Sequence, residues 1–216
     1  MEDQAQQAQA QPAADVQRAT VIGAGTMGRG IAQALAGAKV LTRLYDVDAA
    51  AVEAGLTAVR EVLDKGLAKG KTTTLERDTV LACLSGAPGM DQALDEVQVV
   101  IEAVPEDLDL KRRIFGDLGE RLGPEVLLAT NTSSLSVTRI AEAAAHPERV
   151  VGMHFFNPVH IMKLVEVVRA EQSAPEHDVG EERLGQIRGV VAAEPAAPDI
   201  RVDRSPVLAQ QVVQRG

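Results

Sequence analysis

His154 and Glu166 are the residues of this sequence best placed for acid–base chemistry. His154 stands near the end of a predicted strand, in HFFNP, and Glu166 falls on the next predicted strand, in LVEVV. An imidazole, with an unperturbed pKa of about 6.5, can take and return a proton near neutral pH. A hairpin between the two strands would bring the carboxylate back beside the ring. There it would fix the tautomer and stabilise the imidazolium, as the acid partner of a triad does. A solvated acid on a strand edge is the plainer reading of Glu166, given the alternation in VEVV. The other histidines have no comparable setting: His146 precedes a proline at a helix end, His160 sits in the predicted hairpin loop, and His177 lies in the C-terminal segment. No Cys/His cluster has metal-ligand spacing, so no metal is expected.

A second group of residues has the types and spacing to hold phosphates. ATVIGAGTMGRGIAQALA contains Gly23, Gly25 and Gly28 in G-x-G-x-x-G order. That spacing is weak by itself, but here it follows a predicted strand and opens a predicted helix, which is the context the motif requires. Gly23 suits the tight turn, Gly25 lets a pyrophosphate approach the backbone, and Gly28 allows helix to pack on strand. The helix N-terminus, from Thr26 and Met27 onward, offers free N–H groups and the positive end of its dipole. Asp46 closes the next strand, in LYDVD, 23 residues after Gly23. A carboxylate there accepts hydrogen bonds from the adenosine ribose and repels a 2′-phosphate, so NAD is favoured over NADP. FAD, or glycines that merely make a turn, are the alternatives.

These residues must be positioned by alternating strands and helices. Ala19–Ile22, Val40–Tyr45, Val97–Val104 and Val126–Thr130 read as buried strands; Thr26–Ala36, Val47–Ala68, Leu75–Leu84, Leu108–Leu122 and Ser136–Ala145 read as helices. Val52, Leu56, Val59 and Leu63 repeat on one face of the long second helix, and Ser136 is a candidate N-cap. Ser85–Gly89 reads as a turn. VQVVIEAV is the near-continuous apolar run of a strand covered on both faces. The alternation implies an α/β, Rossmann-type, doubly wound and mostly parallel sheet. Val150–His154 and Leu164–Val168 have no helix between them, so the sheet should end in an antiparallel hairpin.

Composition narrows the class. With 216 residues and a hydrophobic fraction of 45%, one sizeable domain can form a core, and with 2% aromatics that core must be aliphatic. A formal charge of −9 argues against sequence-independent nucleic-acid binding. No apolar run is long enough to span a bilayer, and the first residues lack the features of a secretory signal. The single cysteine, Cys83, has no intramolecular partner, and a cytoplasmic location is the simplest expectation. Residues 1–17 read as a flexible Gln/Ala/Pro leader, 18–169 as the nucleotide-binding domain, and 170–216 as a divergent tail with weak helix and strand signals.

Three further strings give the sequence a specific resemblance. IEAVPEDLDLKRRIF, TNTSSLSVTRIA and GMHFFNPVHIMKLVEVV, with the glycine turn, resemble the signature stretches of the 3-hydroxyacyl-CoA dehydrogenase family, in its order and spacing, from about Arg18 to Val168. The resemblance implies NAD as cofactor, a 3-hydroxyacyl-CoA or 3-oxoacyl-CoA as substrate, and a His154–Glu166 dyad in hydride transfer. It also implies that Ser133 hydrogen-bonds the substrate's 3-oxygen, that Asn131 lies near the nicotinamide and that Glu106 faces the cofactor. Ordinary capping chemistry is the alternative for these polar residues, and the preferred reading for Ser134 and Ser136. Thr26, Met27, Ala103 and Lys111 complete the expected cofactor contacts. Lys65, Lys69, Lys71 and Lys111 are candidates to face the CoA phosphates.

The sequence departs from that family after about Arg169. A further strand-like run, a Pro-Gly-Phe stretch, an Asn-Arg pair and a helical dimerisation half are expected there, and none is recognisable. A natural truncation that docks with a separate helical chain, or a changed reading frame near Ala170, would account for this. Either would leave an apolar patch exposed, with homodimer formation or a helical partner as possible outcomes. An enzyme, a non-catalytic NAD-binding remnant, and a dehydrogenase of free hydroxy acids are the competing functions.

Overall fold

A computed structural model of the chain describes residues 16–162, 164–172 and 199–203, the last group by backbone alone. The elements are β1 (Arg18–Ile22), α1 (Thr26–Gly37), β2 (Leu41–Tyr45), α2 (Ala49–Ala68), α3 (Thr74–Cys83), β3 (Leu84–Gly86), α4 (Met90–Leu94), β4 (Val99–Glu102), α5 (Leu108–Arg121), β5 (Leu127–Thr130), α6 (Val137–Ala141), β6 (Val150–Phe155), β7 (Leu164–Arg169) and β8 (Asp199–Asp203). Strand order is β3-β2-β1-β4-β5-β6-β7-β8. β1 to β6 run parallel to their neighbours, and β7 turns back antiparallel to β6. Chain order reverses between β1 and β4, and ligands of doubly wound sheets bind outside the carboxyl ends of the strands at such a switch point.

Period-2 alternation assigns each strand residue a face. Val99 and Ile101 of β4 join Met153 and Phe155 of β6, and Val165 and Val167 of β7, in the core beneath α1 and α2. Val100 joins Val150 in the opposite core with Phe115 and Leu118 of α5 and Ile140 of α6. Glu102, His154 and Glu166 have the parity of this second face. A third, smaller cluster joins Ala36 of α1, Val59 and Leu63 of α2 and Val80 of α3.

Helix starts carry the expected signals. The side chains of Asp48, Asp107 and Ser136 accept from the N–H groups of Ala50, Leu110 and Arg139. Thr73 and Glu76 form a reciprocal capping box at the start of α3.

Several expectations need correction. The turn expected over Ser85–Gly89 contains the end of β3, which pairs with β2, and it is followed by α4, which the sequence reading lacked. The helix expected over Ser136–Ala145 ends at Ala141. Just outside residues 18–169, Val16 is buried, the Gln17 N–H donates to the Gln98 side chain, and Ala170 is buried in the second core. The tail, whose helix and strand signals are weak, contributes β8, parallel to β7. Residues 1–15 of the expected leader and most of the tail, including His177, lie outside the described residues. The exposed large apolar side chains among the described residues come from five separate stretches of chain. Only Ile161 and Met162, in the β6–β7 loop, are neighbours in sequence. No helix among the described residues is long and apolar enough to cross a membrane.

Candidate active site

The glycine turn joins β1 to α1 under steric constraint. Gly23 has φ +102°, and a Cβ there would lie 2.7 Å from the Ala103 carbonyl oxygen. A Cβ on Gly28 would stand 1.7 Å from the Gly23 carbonyl oxygen. A Cβ on Gly25 would meet nothing within 4 Å, so this position opens onto free space at the N-terminus of α1. Gly25 gives that terminus no side-chain cap, and the first-turn N–H groups of a helix have no intrahelical acceptors. An uncapped positive helix end beside an open glycine is a cradle suited to a pyrophosphate. Thr26 is exposed and Met27 half-buried at its edge.

Asp46 closes the other side. Its carboxylate accepts from the Ala24 N–H at 2.8 Å and the Asp48 N–H at 3.1 Å, tying the end of β2 to the glycine turn. On the β4 side, the Ala103 N–H donates to the Ile22 carbonyl.

Beneath the crevice lies a buried polar cluster that sequence reasoning missed. Glu102 ends β4 and is fully buried, as is Lys111 on α5. Lys111 Nζ lies 2.8 and 3.0 Å from the two Glu102 carboxylate oxygens and 3.0 Å from the Asn131 carbonyl oxygen. Glu102 also accepts from the Thr130 hydroxyl and the Val104 N–H, both at 2.7 Å. Burial raises the Glu102 carboxyl above its ordinary value, against Lys111, Thr130 and Val104, which all lower it. The Lys111 ammonium, expected among the cofactor contacts and as a candidate for the CoA phosphates, is inside the protein with its three donors engaged.

The loop after β5 gathers around Glu106, whose carboxylate accepts from the Thr132 hydroxyl, the Ser133 N–H and the Ser134 hydroxyl, and lies 3.6 Å from Lys111. Burial raises the Glu106 carboxyl, but hydrogen bonds from Thr132, Ser133 and Ser134 and the Lys111 charge outweigh it and hold the group below its ordinary value. Thr132 in turn accepts from the N–H groups of Ser134 and Leu135. Ser133 is exposed at the sheet edge. The Asn131 side-chain oxygen accepts from the Phe155 N–H at 3.1 Å, joining this loop to the carboxyl end of β6.

His154 precedes Phe155 on that strand. It is directly opposite Glu166 in the antiparallel ladder, and its Nδ1 lies 3.1 Å from Glu166 Oε2. The ring is a quarter exposed and the carboxylate is 40% exposed, so the pair faces solvent at one side. The Phe156 ring is tilted against the imidazole, with centroids 4.3 Å apart. The β6–β7 loop also returns to the crevice, where Val159 packs against Gly30 of α1.

The structure thus brings Gly23, Gly25, Thr26, Met27, Gly28, Asp46, Ala103, Glu106, Asn131, Ser133, His154 and Glu166 to one sheet edge. Lys65 and Lys69 stand elsewhere. α2 starts beside Asp46, and Lys65 lies about 24 Å further along it at 1.5 Å per residue. Lys65 pairs with Glu61, and Lys69 ends the helix beside the exposed Lys71. Among the described residues, no group of three or more His, Cys, Asp and Glu side chains is arranged to hold a metal ion.

The strand order, the glycine turn at the switch point and the acid ending β2 define a dinucleotide-binding Rossmann domain of the dehydrogenase type. Residues 18–179 match the family described as 3-hydroxyacyl-CoA dehydrogenase, NAD binding domain, and the chain belongs to that family. Its cofactor is NAD. The chain is 39% identical over 180 residues to the probable 3-hydroxybutyryl-CoA dehydrogenase of Bacillus subtilis, covering 83% of this chain and 62% of that protein. Among solved structures, it is similar to FadB2 of Mycobacterium tuberculosis, with a TM-score of 0.79 and 33% identity over 88% of this chain and 64% of that one. It is also similar to the (S)-3-hydroxybutyryl-CoA dehydrogenase PaaH1 of Ralstonia eutropha, with a TM-score of 0.76 and 34% identity over 87% of this chain and 63% of that one. The chain therefore spans less than two thirds of the length of these relatives.

Proposed function

We propose that the chain supplies the cofactor-binding and proton-transfer part of an enzyme that interconverts 3-hydroxyacyl-CoA and 3-oxoacyl-CoA. The observation that carries this reading is the His154–Glu166 contact of 3.1 Å, at the carboxyl end of β6 on the edge where the glycine turn opens. In oxidation, His154 Nε2 takes the proton of the 3-hydroxyl while C3 loses a hydride. Bound NAD supplies the hydride acceptor. Glu166 holds the Nδ1 proton and offsets the charge that the imidazolium gains, and in reduction Nε2 returns the proton. Ser133 donates a hydrogen bond to the 3-oxygen, and Asn131 orients the cofactor ring. The added length of the relatives would complete the acyl side and exclude water, from the same polypeptide, a second copy or a helical partner. A single cysteine is consistent with a cytoplasmic setting.

The test is NADH oxidation with acetoacetyl-CoA by the purified chain and by its His154→Asn variant. Turnover that is lost in the variant supports the reading. Tight NAD binding without turnover in the unaltered chain, also when it is joined to a relative's remaining helical part, would leave a binding module and no dehydrogenase.

A further inference from the structure

The buried Lys111–Glu102 pair needs an explanation beyond stability. Both groups are fully removed from water, and replacing such a pair with well-packed apolar side chains is often neutral or stabilising. What the pair supplies is direction. Lys111 has three donors, and they reach Glu102 Oε1, Glu102 Oε2 and the Asn131 carbonyl. Glu102 fills its remaining acceptor sites with Thr130 and Val104. A fully satisfied cluster in a low-dielectric interior is rigid, because any displacement strands a charge.

Its arms end on both halves of the site. Glu102 is followed by Ala103, whose carbonyl lies against Gly23 of the cofactor turn. Asn131 is held on its backbone at two points, by the Lys111 ammonium and by its own N–H donating to the Glu102 carbonyl at 2.7 Å. Its side-chain oxygen is then free to accept from the Phe155 N–H, one residue beyond His154.

We propose that Lys111 and Glu102 are positioning residues, a buried clamp that fixes β6 and its His154 relative to the cofactor turn through Asn131. The inference rests on the role given to His154 above. It assigns Lys111 an internal function and needs no contact between Lys111 and a ligand.

The test is nuclear magnetic resonance of the whole chain, comparing the unaltered protein with a Lys111→Met/Glu102→Gln double variant. The double variant removes both charges and keeps an acceptor for Thr130 or Val104. Two signals are followed: hydrogen exchange of the Phe155 amide, and the shift of the His154 ring resonance on adding NAD, with His146 as the internal reference. In the double variant, Phe155 exchange should rise about tenfold or more while the amides of Val151 and Met153 keep their protection. The NAD-induced shift of His154 should shrink by at least half at saturating NAD. Asn131→Ala, which removes the Phe155 acceptor directly, sets the scale for full loss. Should the double variant not fold, Thr130→Val carries the same test, with an expected rise of about threefold. Unchanged Phe155 exchange, or an equal rise along all of β6, would overturn the clamp. Absence of any NAD-induced shift at His154 in the unaltered protein would instead count against the dehydrogenase reading, and the Phe155 measurement would still decide the clamp.

Discussion

His154 and Glu166 are opposed residues of one antiparallel ladder, and their side chains meet on the face of the sheet opposite α1. Strand register therefore sets the contact, with no dependence on loop geometry. Glu166→Gln keeps a hydrogen-bond acceptor for Nδ1 but loses the charge that stabilises the imidazolium. We expect kcat to fall about 10- to 100-fold with KM little changed, and His154→Asn to cost about 10² to 10⁴ in kcat. Steady-state kinetics with acetoacetyl-CoA would check both values, and full activity in Glu166→Gln would remove the dyad from the mechanism.

Two glycines of one motif should fail in different ways. At Gly28 a methyl group would stand 1.7 Å from backbone, so Gly28→Ala must push α1 off β1. It should lower unfolding free energy by about 2 kcal/mol or more, as overpacking does. At Gly25 a methyl group meets no protein atom within 4 Å and occupies the space where the pyrophosphate would approach. Gly25→Ala should melt like the unaltered protein and bind NAD at least about tenfold more weakly, a loss of about 1.4 kcal/mol. Thermal melts and calorimetric titration separate the two, and equal loss of stability in both would contradict the geometry.

The architecture was legible wherever apolar period and turn residues agreed. β1, β4 and β5 are short, mostly apolar and almost wholly buried runs, and the Gly23–Gly25–Gly28 spacing falls between β1 and α1 as expected. β3 and α4 were invisible because three and five residues are too few to show a period. The inner face of α5 is only partly visible in its apolar spacing. Leu110, Ile114, Leu118 and Leu122 stand four residues apart, and Ile114 and Leu122 pack against the core, but the fully buried residues are Lys111, Phe115, Leu118 and Gly119. A lysine can hold an inward position only if an acid awaits it, and that acid, Glu102, lies across a turn on another element. Single residues with known chemistry could be found along the chain, but the clamp of Glu102, Lys111 and Thr130 exists only in three dimensions.

Acid should act on the loop after β5 through Glu106. Its folded pKa lies below the ordinary carboxylate value, so the folded state binds this proton less readily than the unfolded chain does. The stabilisation it gives is fully present above the ordinary value of 4.5 and is lost as pH falls through the lower folded value. Glu106→Gln should therefore be less stable than the unaltered protein at neutral pH, and the difference should shrink as pH drops below 4.5. Denaturant titrations across that range would show it, and a gap that persists undiminished at the acid end would exclude Glu106 as its source.

Arg149 gives a prediction about the scaffold alone. Its guanidinium is buried at the C-terminal end of α5, where it donates to the carbonyls of Leu122 at 3.0 Å, Val126 at 3.4 Å and Gly123. The Leu118 and Gly119 carbonyls, at 3.5 Å, complete the cradle. The positive charge thus sits on the negative end of the α5 dipole and adds donors to its carbonyls, of which Leu118 and Gly123 also accept from the Leu122 and Val126 N–H groups. Arg149→Met fills much of the volume and removes those donors, at about 1–3 kcal/mol for each oxygen left with neither another donor nor water. A total loss of about 3 kcal/mol is expected, with NAD affinity in the remaining folded protein unchanged, because the contact lies at the opposite end of α5 from Lys111. Denaturant unfolding with and without NAD would test this, and a variant as stable as the unaltered protein would show that those carbonyls do not depend on the guanidinium.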